Sequence, residues 1–535
     1  MKTMISSIIL ASCLALPLAS CSDSDVAPEQ KDWSTTTYFY SADAAMQDTY
    51  YKPTVGYVGD PMPFFDPVAG DFKVLYLQDF RPNPEGTYHP IWGVSTKDAA
   101  HYTSLGELVA CGTKKSQDAA IGTGSTIYDE ASKLYYTFYT GNKYLPTGDE
   151  SAQAVMVATS PDFKTWTKDR TFLLKGQDFG YDKNDFRDPF VFKGDDGKFH
   201  MLVSTKKSGK GSLAEFVSDD LKNWTDNGVF MTMMWDRFYE CPDLFKMGDY
   251  WYLVYSEIHH AVRRVQYFKG RTLDELKACT ANDVARWPDA HEGFLDSRGL
   301  YAGKTASDGT NRYLWGWCPT RSGKDNTAVG ASPAEPEWAG NLVCYKLIQH
   351  EDGTLTLGQI DAVSEKYNQD VAVEVKESQN MTEADGTYTL AGSVEQPDAY
   401  MLMGRLGSHN KISFTVTTSN EWDKFGISMV RGSDSKKYYT MVVNPENENN
   451  RKVNFEEQGV EGKGFIAGID GYVFARPADN VYNITIYTDN SICVMYINDV
   501  CSYTNRIYGI QKNCWSINSY NGANVKISNL KISQY

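Results

Sequence analysis

Three acidic motifs at comparable positions are the residues of this sequence that could do chemistry. They are Gly59-Asp60-Pro61, Arg187-Asp188-Pro189 and Glu240-Cys241-Pro242, and each precedes a run of aromatic and apolar residues. Cleavage of a sugar acetal needs two carboxyl groups, one to protonate the leaving oxygen and one to attack or to activate water. A third carboxylate can bind substrate hydroxyls and raise the pKa of the acid. The motifs therefore suggest a site that opens glycosidic bonds.

Each of these motifs taken alone has a simpler interpretation, because Asp before Pro often opens a turn. We assign three other aspartates to turns: Asp66, Asp162 and Asp220. The argument for chemistry rests instead on the recurrence of the acidic motifs at equivalent places in a repeat.

The aromatic and apolar runs form that repeat. They occur five times, and an Asp followed four residues later by an aromatic residue occurs three times in phase with them. Repeats longer than ~40 residues are typical of β-propellers, in which small twisted sheets cover one another. We therefore predict a five-bladed β-propeller over residues 50–362, with the acids just ahead of blade strands and pointing into a central funnel. The five predicted strands are residues 72–76, 134–139, 199–203, 250–254 and 312–317.

The repeat ends near residue 363. From there to residue 535, short segments alternate apolar and polar residues between turns, which is typical of a β-sandwich. A content of 13% aromatic residues, 22% charged residues and 43 Gly also favours a β-rich protein. The predicted fold is all-β, a five-bladed β-propeller followed by a C-terminal β-sandwich. An unrelated sandwich with recurring hairpins is the alternative.

The N-terminus is similar to that of an exported lipoprotein. Lys2 precedes an apolar stretch at residues 5–18 that is too short to span a bilayer permanently. Leu-Ala-Ser-Cys at residues 18–21 resembles a lipobox, in which Cys21 would carry the lipid, and an ordinary cleaved secretory signal is the alternative. Residues 22–49 would be a tether. The acidic residues after Cys21 resemble the signal that sends lipoproteins of Bacteroides-like bacteria to the outer face of the outer membrane.

Charge and cysteine content exclude some classes of partner. A net charge of −16 argues against nucleic acid, because phosphate contacts need clustered Lys and Arg. The 10 Cys are scattered, with no C-x-x-C pair, so neither a zinc site nor a dense disulfide framework is indicated. We predict no metal and no cofactor, and we expect most cysteines to be buried as small apolar residues.

The motifs together resemble glycoside hydrolase family 32, the invertase, levanase and inulinase group, which pairs a five-bladed propeller with a C-terminal β-sandwich. Its two most specific motifs are matched by Phe186-Arg187-Asp188-Pro189 and by Glu240-Cys241. Residues 122–125 are similar to its F-S-G-S segment, and residues 300–302 and 314–317 to its F-Y-A and G-W pair.

That resemblance implies a retaining mechanism on β-fructofuranosyl linkages. Asp60 would be the nucleophile, and Glu240 would protonate the leaving oxygen and then deprotonate water. Asp188 would hold fructose hydroxyls, with Arg187 as the ion-pair partner that keeps it charged. Retention implies a separation of about 5–5.5 Å between the carboxyl groups of Asp60 and Glu240. The implied substrate-binding residues, for which ordinary packing is the alternative, are Gln78, Trp92, Ser125 and Trp315.

The first motif departs from the family pattern. The family reads W-M-N-D-P-N-G, whereas residues 57–63 place Gly59 before Asp60 and Met-Pro after Pro61. Those missing groups normally shape the subsite for the terminal fructose, so the sugar or linkage preference could differ. Asp66 is the alternative nucleophile.

Three functions follow from these residues. The first is a surface lipoprotein that hydrolyses β-fructans such as levan, inulin or sucrose-derived oligosaccharides, beside a glycan-uptake complex. The second is an inactive fructan-binding protein on the same fold. The third is an inverting arabinanase or xylosidase, for which the carboxyl separation would be about 6.5–9.5 Å. That group's Glu motif lacks the following Cys.

Overall fold

The computed structural model describes residues 49–80, 89–233, 238–257, 264–279, 292–321, 336–430, 438–445, 452–458, 472–474 and 476–535. As predicted, the described chain is almost entirely β, with only two short α-helices, α1 (Leu273–Lys277) and α2 (Asp361–Lys366). Neither is long or apolar enough to cross a membrane. The predicted signal and lipidated Cys21, and all but the last residue of the tether, lie outside the described residues.

Five antiparallel meanders of four strands form the first part of the chain, and one bridge between Val58 and Gly340 joins the first meander to the last. Their strands are β1 (Tyr57–Asp66), β2 (Asp71–Asp79), β3 (Ile91–Thr96), β4 (Thr103–Val109); β5 (Ala120–Asp129), β6 (Leu134–Asn142), β7 (Gln153–Ser160), β8 (Thr167–Lys168); β9 (Phe186–Lys193), β10 (Phe199–Lys207), β11 (Lys210–Ser218), β12 (Thr225–Thr232); β13 (Glu240–Met247), β14 (Tyr250–Glu257), β15 (Arg264–Gly270), β16 (Glu292–Phe294); and β17 (Tyr301–Ser307), β18 (Arg312–Arg321), β19 (Pro336–Gln349), β20 (Leu355–Gly358).

The first strands of the five meanders lie next to one another. Strand β1 contacts β5, β5 contacts β9, β9 contacts β13, β13 contacts β17, and β17 returns to β1. The acidic motifs lie within these first strands rather than ahead of a strand, which corrects the prediction. The reason is that the aromatic runs, which the sequence shows most clearly, are the second strands β2, β6, β10, β14 and β18.

Each first strand carries a β-bulge opposite its second strand. A bulge bends the strand and re-aims a side chain, and such bulges are common next to active sites. Asp188, Cys241 and Ala302 have φ angles of 58°, 51° and 53°, in the left-handed region that residues other than Gly rarely adopt. The bulged positions are residues 59–60, 123, 188–189, 241–242 and 302–303.

Turns in the repeat are fixed by aspartates, as predicted. The carboxylates of Asp162 and Asp220 each accept two backbone N–H groups, from the residues two and three positions ahead. Asp66 ends β1 and accepts the backbone N–H of Val68 and the hydroxyl of Tyr135. These bonds explain the recurring Asp without a catalytic role.

The second part of the chain contains two antiparallel sheets that share one hydrophobic core. The first has the order β23-β24-β35-β26-β31-β32-β33 with β21 on β35, and the second has β22-β25-β34-β27-β28-β29-β30. Alternate residues of β26 are buried, as the alternating pattern predicted. The strands are β21 (Gln369–Val371), β22 (Val375–Gln379), β23 (Met381–Ala384), β24 (Thr387–Ala391), β25 (Ala399–Arg405), β26 (His409–Thr418), β27 (Phe425–Val430), β28 (Tyr438–Asn444), β29 (Lys452–Gln458), β30 (Tyr472–Val473), β31 (Val481–Asp489), β32 (Ile492–Ile497), β33 (Cys501–Arg506), β34 (Cys514–Ser519) and β35 (Asn524–Gln534).

A buried polar junction joins the two parts. Arg506, on β33, donates to the backbone carbonyls of Cys318 and Pro319 and to the side chain of Asn341, which lie on β18 and β19. The second part thereby supports two strands of the last meander. Seven of the eight cysteines of the described residues are buried, as expected.

Candidate active site

Asp60 lies in the bulge of β1 with its side chain partly exposed. The hydroxyl of Thr123 donates to its Oδ2 at 2.6 Å, and the indole N–H of Trp317 donates to its Oδ1 at 2.9 Å. Burial raises the pKa of Asp60, the two hydrogen bonds oppose that shift, and the charge of Glu240 adds to it. Two neutral donors thus fix the orientation of a carboxylate that solvent can still reach.

Glu240 begins β13, and its side chain is 13% exposed. Its Oε1 accepts a hydrogen bond from the guanidinium of Arg187 at 2.9 Å, and its Oε2 accepts one from the hydroxyl of Tyr301 at 2.5 Å. Each oxygen of the carboxylate is held by a different strand. Glu240 is therefore held in one orientation while part of its side chain remains accessible to solvent.

Asp188 is the buried member of the set, at 4% exposure. Its Oδ2 accepts the backbone N–H of Cys241 at 2.9 Å. Burial raises the pKa of Asp188 to about 7, the guanidinium of Arg187 opposes the shift, and the charges of Glu240 and Asp60 increase it. The three carboxylates are close enough to influence one another.

Shared neighbours connect the three acids. Thr123, which binds Asp60, also lies 3.8 Å from the thiol of Cys241, whose backbone binds Asp188. Three strands that are distant in sequence therefore bring Asp60, Asp188 and Glu240 into one cluster. Two partly exposed carboxylates beside a buried third can perform the acid and nucleophile roles of acetal cleavage.

Two cations, the partly buried Arg187 and the buried Lys304, balance this negative charge. Arg187 forms ion pairs with Asp185 at 2.7 Å and with Glu240, and its guanidinium stacks 3.8 Å from the ring centre of Phe238. The ion pairs of Arg187 in the described residues are thus with Asp185 and Glu240, whereas the expected partner was Asp188. Arg187 acts on Asp188 through space, lowering its pKa.

Lys304 is the second cation, at 2% exposure. Its ammonium donates to the backbone carbonyl of Gly124 at 2.9 Å. Burial lowers its pKa, and Asp243, Asp188 and Asp60 are among the groups whose charges oppose that shift. Lys304 thus contributes positive charge next to the acids.

Two of the four expected substrate-binding residues are fully buried. The side chain of Gln78 is 0% exposed and donates to the carbonyl of Val55 at 2.5 Å. Trp315 is also 0% exposed, and its indole N–H donates to the hydroxyl of Tyr102 at 3.2 Å. The expectation for Trp315 is wrong, because its ring is part of the hydrophobic core of the first part, against Phe72.

The other two residues also have packing roles. The hydroxyl of Ser125 donates to the carbonyl of Pro189 and accepts the N–H of Val191, so it joins β5 to β9 just beyond Asp188. Trp92 is partly buried and meets the ring of Phe80 edge-on, with centroids 5.8 Å apart. None of these four side chains donates to the three acids in the described residues.

Three donors to the acids were missed by sequence reasoning. They are Thr123, Tyr301 and Trp317, and each lies in a segment that the motif comparison had singled out. The register could have found two of them. Thr123 occupies the bulge of β5, at the place where β1 and β9 carry Asp60 and Asp188, and Trp317 pairs directly with Tyr301 across β17 and β18.

No metal site accompanies the acids in the described residues. Nowhere in that part of the chain do three His, Cys, Asp or Glu side chains come together as metal ligands. The site's cations are the side chains of Arg187 and Lys304.

Comparison with known proteins gives matches over both parts of the chain. The model of the Glycosyl hydrolases family 32 N-terminal domain matches residues 50–360, and that of the GH32, BT1760-like, C-terminal domain matches residues 353–532. An insoluble β-fructofuranosidase isoenzyme of Arabidopsis thaliana is 27% identical over 320 residues, which is 54% of this chain and 51% of that protein. The chain thus spans about half the length of the curated relatives it matches.

Solved structures are similar over most of the chain. Fructan 1-exohydrolase IIa from Cichorium intybus has a TM-score of 0.69 at 16% identity, covering 91% of this chain and 97% of that one. Exo-inulinase from Aspergillus awamori has a TM-score of 0.68 at 15% identity, covering 93% and 99%. One structure of the Cichorium enzyme is a complex with 1-kestose. At these identities the likeness concerns the fold.

Proposed function

Because this chain belongs to glycosyl hydrolase family 32, we propose that it is a retaining glycosidase that cleaves β-fructofuranosyl linkages in fructans such as levan, inulin and fructo-oligosaccharides. The observation that carries the proposal is the separate orientation of two carboxylates that solvent can reach. Asp60 is held by neutral donors, and Glu240 is held between an arginine and a tyrosine.

The proposed reaction has two steps. In the first, Asp60 attacks the anomeric carbon of a fructosyl unit, the bond to the leaving oxygen breaks, and Glu240 gives its proton to that oxygen. In the second, Glu240 takes a proton from water, the water oxygen attacks the same carbon, and the ester bond to Asp60 breaks. Asp188 would bind sugar hydroxyls throughout, and its burial strengthens those hydrogen bonds.

The proposed architecture is a five-bladed propeller followed by a β-sandwich. Five four-stranded meanders whose first strands contact one another in a ring support the propeller. Two sheets that share one core support the sandwich. In this arrangement the bulges of the first strands all lie around one cavity, which is where the acids must meet.

The substrate class is supported by the ligand bound in a structural relative. The Cichorium enzyme was solved with 1-kestose, a fructo-oligosaccharide. We infer the same class for this chain, with the linkage left to experiment. The first motif, residues 57–63, differs from the family pattern at Gly59, directly before the proposed nucleophile. This difference could alter which sugar or linkage the site prefers.

We also propose that the protein is anchored by lipid at Cys21 to the outer membrane, facing outside beside a glycan-uptake complex. The lipobox-like sequence at residues 18–21 supports the anchor. Cys21→Ser should move the full-length protein from the membrane fraction to the soluble fraction of the cell. Equal membrane recovery of both proteins would contradict the proposal.

In the decisive experiment, the purified protein is incubated separately with levan, inulin, sucrose and arabinan. The products are sized by chromatography, and the anomeric form of the released sugar is followed by NMR. Release of fructosyl products with retained configuration is expected. Binding of fructan without release would show a glycan-binding protein instead. Release of arabinose with inversion would favour the arabinanase interpretation.

A further inference from the structure

Gly59, directly before Asp60, is packed against an aromatic ring. A Cβ atom at this position would lie 2.3 Å from Cη2 of Trp338 and within 3 Å of two more atoms of the same ring. The φ angle of Gly59 lies outside the left-handed region, so the backbone itself would accept another residue. The indole of Trp338 is what excludes a side chain here.

The backbone of β19 directs Trp338 to this place. The next residue, Ala339, has a φ of 68°, a left-handed conformation that is strained for a residue with a Cβ. The pairing of β18 with β19 is irregular between Pro319 and Arg321, opposite this segment. A strained residue at an irregular pairing is a device that re-aims the side chain beside it.

Aromatic neighbours hold the indole beside the acids. The imidazole of His89 stacks on Trp338 with ring centroids 4.3 Å apart, and the ring of Trp317 meets it edge-on at 6.2 Å. Trp317 in turn donates to Asp60. Trp338 therefore lies one ring away from the carboxylate that we propose as the nucleophile.

Trp338 is only partly buried, whereas Gly59, Ala339 and Trp317 are buried. A partly exposed indole beside a carboxylate is suited to a sugar, because its face packs on ring C–H groups while polar groups bind the hydroxyls. We propose that Trp338 is a specificity-determining residue that contacts the sugar unit next to Asp60, in the space that a side chain at position 59 would otherwise fill. This inference rests on the proposed function.

The chemical consequence concerns how the sugar unit is recognised. An amide side chain at position 59 would hydrogen-bond to a sugar hydroxyl, so analogues that lack this hydroxyl would bind much more weakly. An aromatic ring at the same place discriminates only weakly between the two kinds of sugar. The site next to Asp60 should therefore select for ring shape more than for a single hydroxyl.

A binding experiment tests this without relying on turnover. The Glu240→Gln protein and its Trp338→Ala and Trp338→Phe derivatives are titrated with levan and inulin oligosaccharides by calorimetry. We expect about tenfold weaker binding for Trp338→Ala, which corresponds to ~1.4 kcal/mol, and near-complete recovery for Trp338→Phe. Equal affinity of all three proteins, with unchanged melting temperatures, would overturn the inference.

A double-mutant cycle tests the steric relation. Gly59→Asn alone should lower kcat/KM at least tenfold, because the new side chain collides with the indole. Gly59→Asn with Trp338→Ala should lose less than the sum of the single effects, because the space is then open. Purely additive effects would contradict the inference. If the unmutated protein binds fructan but hydrolyses none, the proposed function fails while the binding experiment still decides the role of Trp338.

Discussion

Buried carboxylates occur in two regions of this molecule, and the two regions differ in the groups that surround them. At the junction of the two parts, Asp296 is 0% exposed and accepts four hydrogen bonds, from the backbone of Ser297, from the backbone and hydroxyl of Thr504 and from the hydroxyl of Ser502. All four donors are neutral. In the cluster of the first part, by contrast, Asp60, Asp188 and Glu240 act on one another's charge.

That difference separates a structural acid from a reactive one. A buried carboxylate with a full set of donors stabilises the fold, because breaking the set would leave polar groups unpaired. Carboxylates that crowd one another oppose folding, since each disfavours the charge of the next. Strained bulges at Asp188 and Cys241 hold the crowded set in place. We therefore expect substitutions to separate activity from stability.

The largest expected effect is that of Asp60→Asn on activity. Loss of the proposed nucleophile should lower kcat for fructose release by about 10⁴-fold, the scale seen when a member of a catalytic set is removed. The melting temperature should stay equal or rise, because one crowded charge is gone. Asp66→Asn, the same change at the other end of β1, is the matched control and should keep its activity. The reverse outcome would assign the attack to Asp66.

The next effect is that of Glu240→Gln. Removing a general acid should lower kcat about 10³-fold while oligosaccharide binding stays within a few-fold, since the amide keeps the size of the side chain. Glu215→Gln is the control, because Glu215 bonds to His200 and Asn227 on β10 and β12, away from the cluster. Steady-state kinetics with both variants measure this. Similar turnover in Glu240→Gln and the unmutated protein would exclude the acid–base role.

Asp296→Asn should show the opposite pattern. In the variant, an amide NH₂ group would replace a carboxylate oxygen that accepts hydrogen bonds, so donor would face donor. The unfolding free energy should therefore fall by about 2–4 kcal/mol. Activity per folded molecule should remain within twofold. Urea unfolding followed by fluorescence gives the first quantity, and kinetics at low temperature gives the second. A stable but inactive variant would abolish the distinction between the two regions.

The sequence predicts the repeat well, for a physical reason. The second strand of each meander is buried among its neighbours, so residues such as Val74 and Leu202 give an unbroken apolar signal. The first strands are mixed in composition and bulged, so no period marks them. The three acids were identified from their residue type and from the motifs around them. Their position was predicted wrongly, because they lie within the first strands and not ahead of a strand.

Donors and ring positions were harder to predict. The choice between Trp315 and Trp317 depends on which of them lies opposite Tyr301, and composition cannot decide it because residues two apart lie on the same face of a strand. The contact of Trp338 with Gly59 joins residues far apart in sequence, and it depends on the conformation of Ala339. The sequence shows that position 59 is a glycine, but only the structure shows that the ring of Trp338 occupies the space beside it.

The smallest expected effect is on the pH dependence of stability. The pKa of Asp188 is raised from 3.8 to about 7, so between these values the folded state binds the proton more tightly than the unfolded chain. This contribution is fully present below the unfolded value and is lost as the pH rises through about 7. Between pH 4 and 7, the unfolding free energy should therefore fall more steeply with rising pH in the unmutated protein than in Asp188→Asn.

Asp220 provides the control for this measurement. Backbone N–H groups hold its pKa at about 2, so the carboxylate is charged in the folded state across that window. Asp220→Asn should therefore leave the slope of stability against pH unchanged, and urea titrations at several pH values measure all three slopes. Equal slopes for Asp188→Asn and the unmutated protein would mean that Arg187 keeps Asp188 charged. The cluster would then be a satisfied set like the one around Asp296.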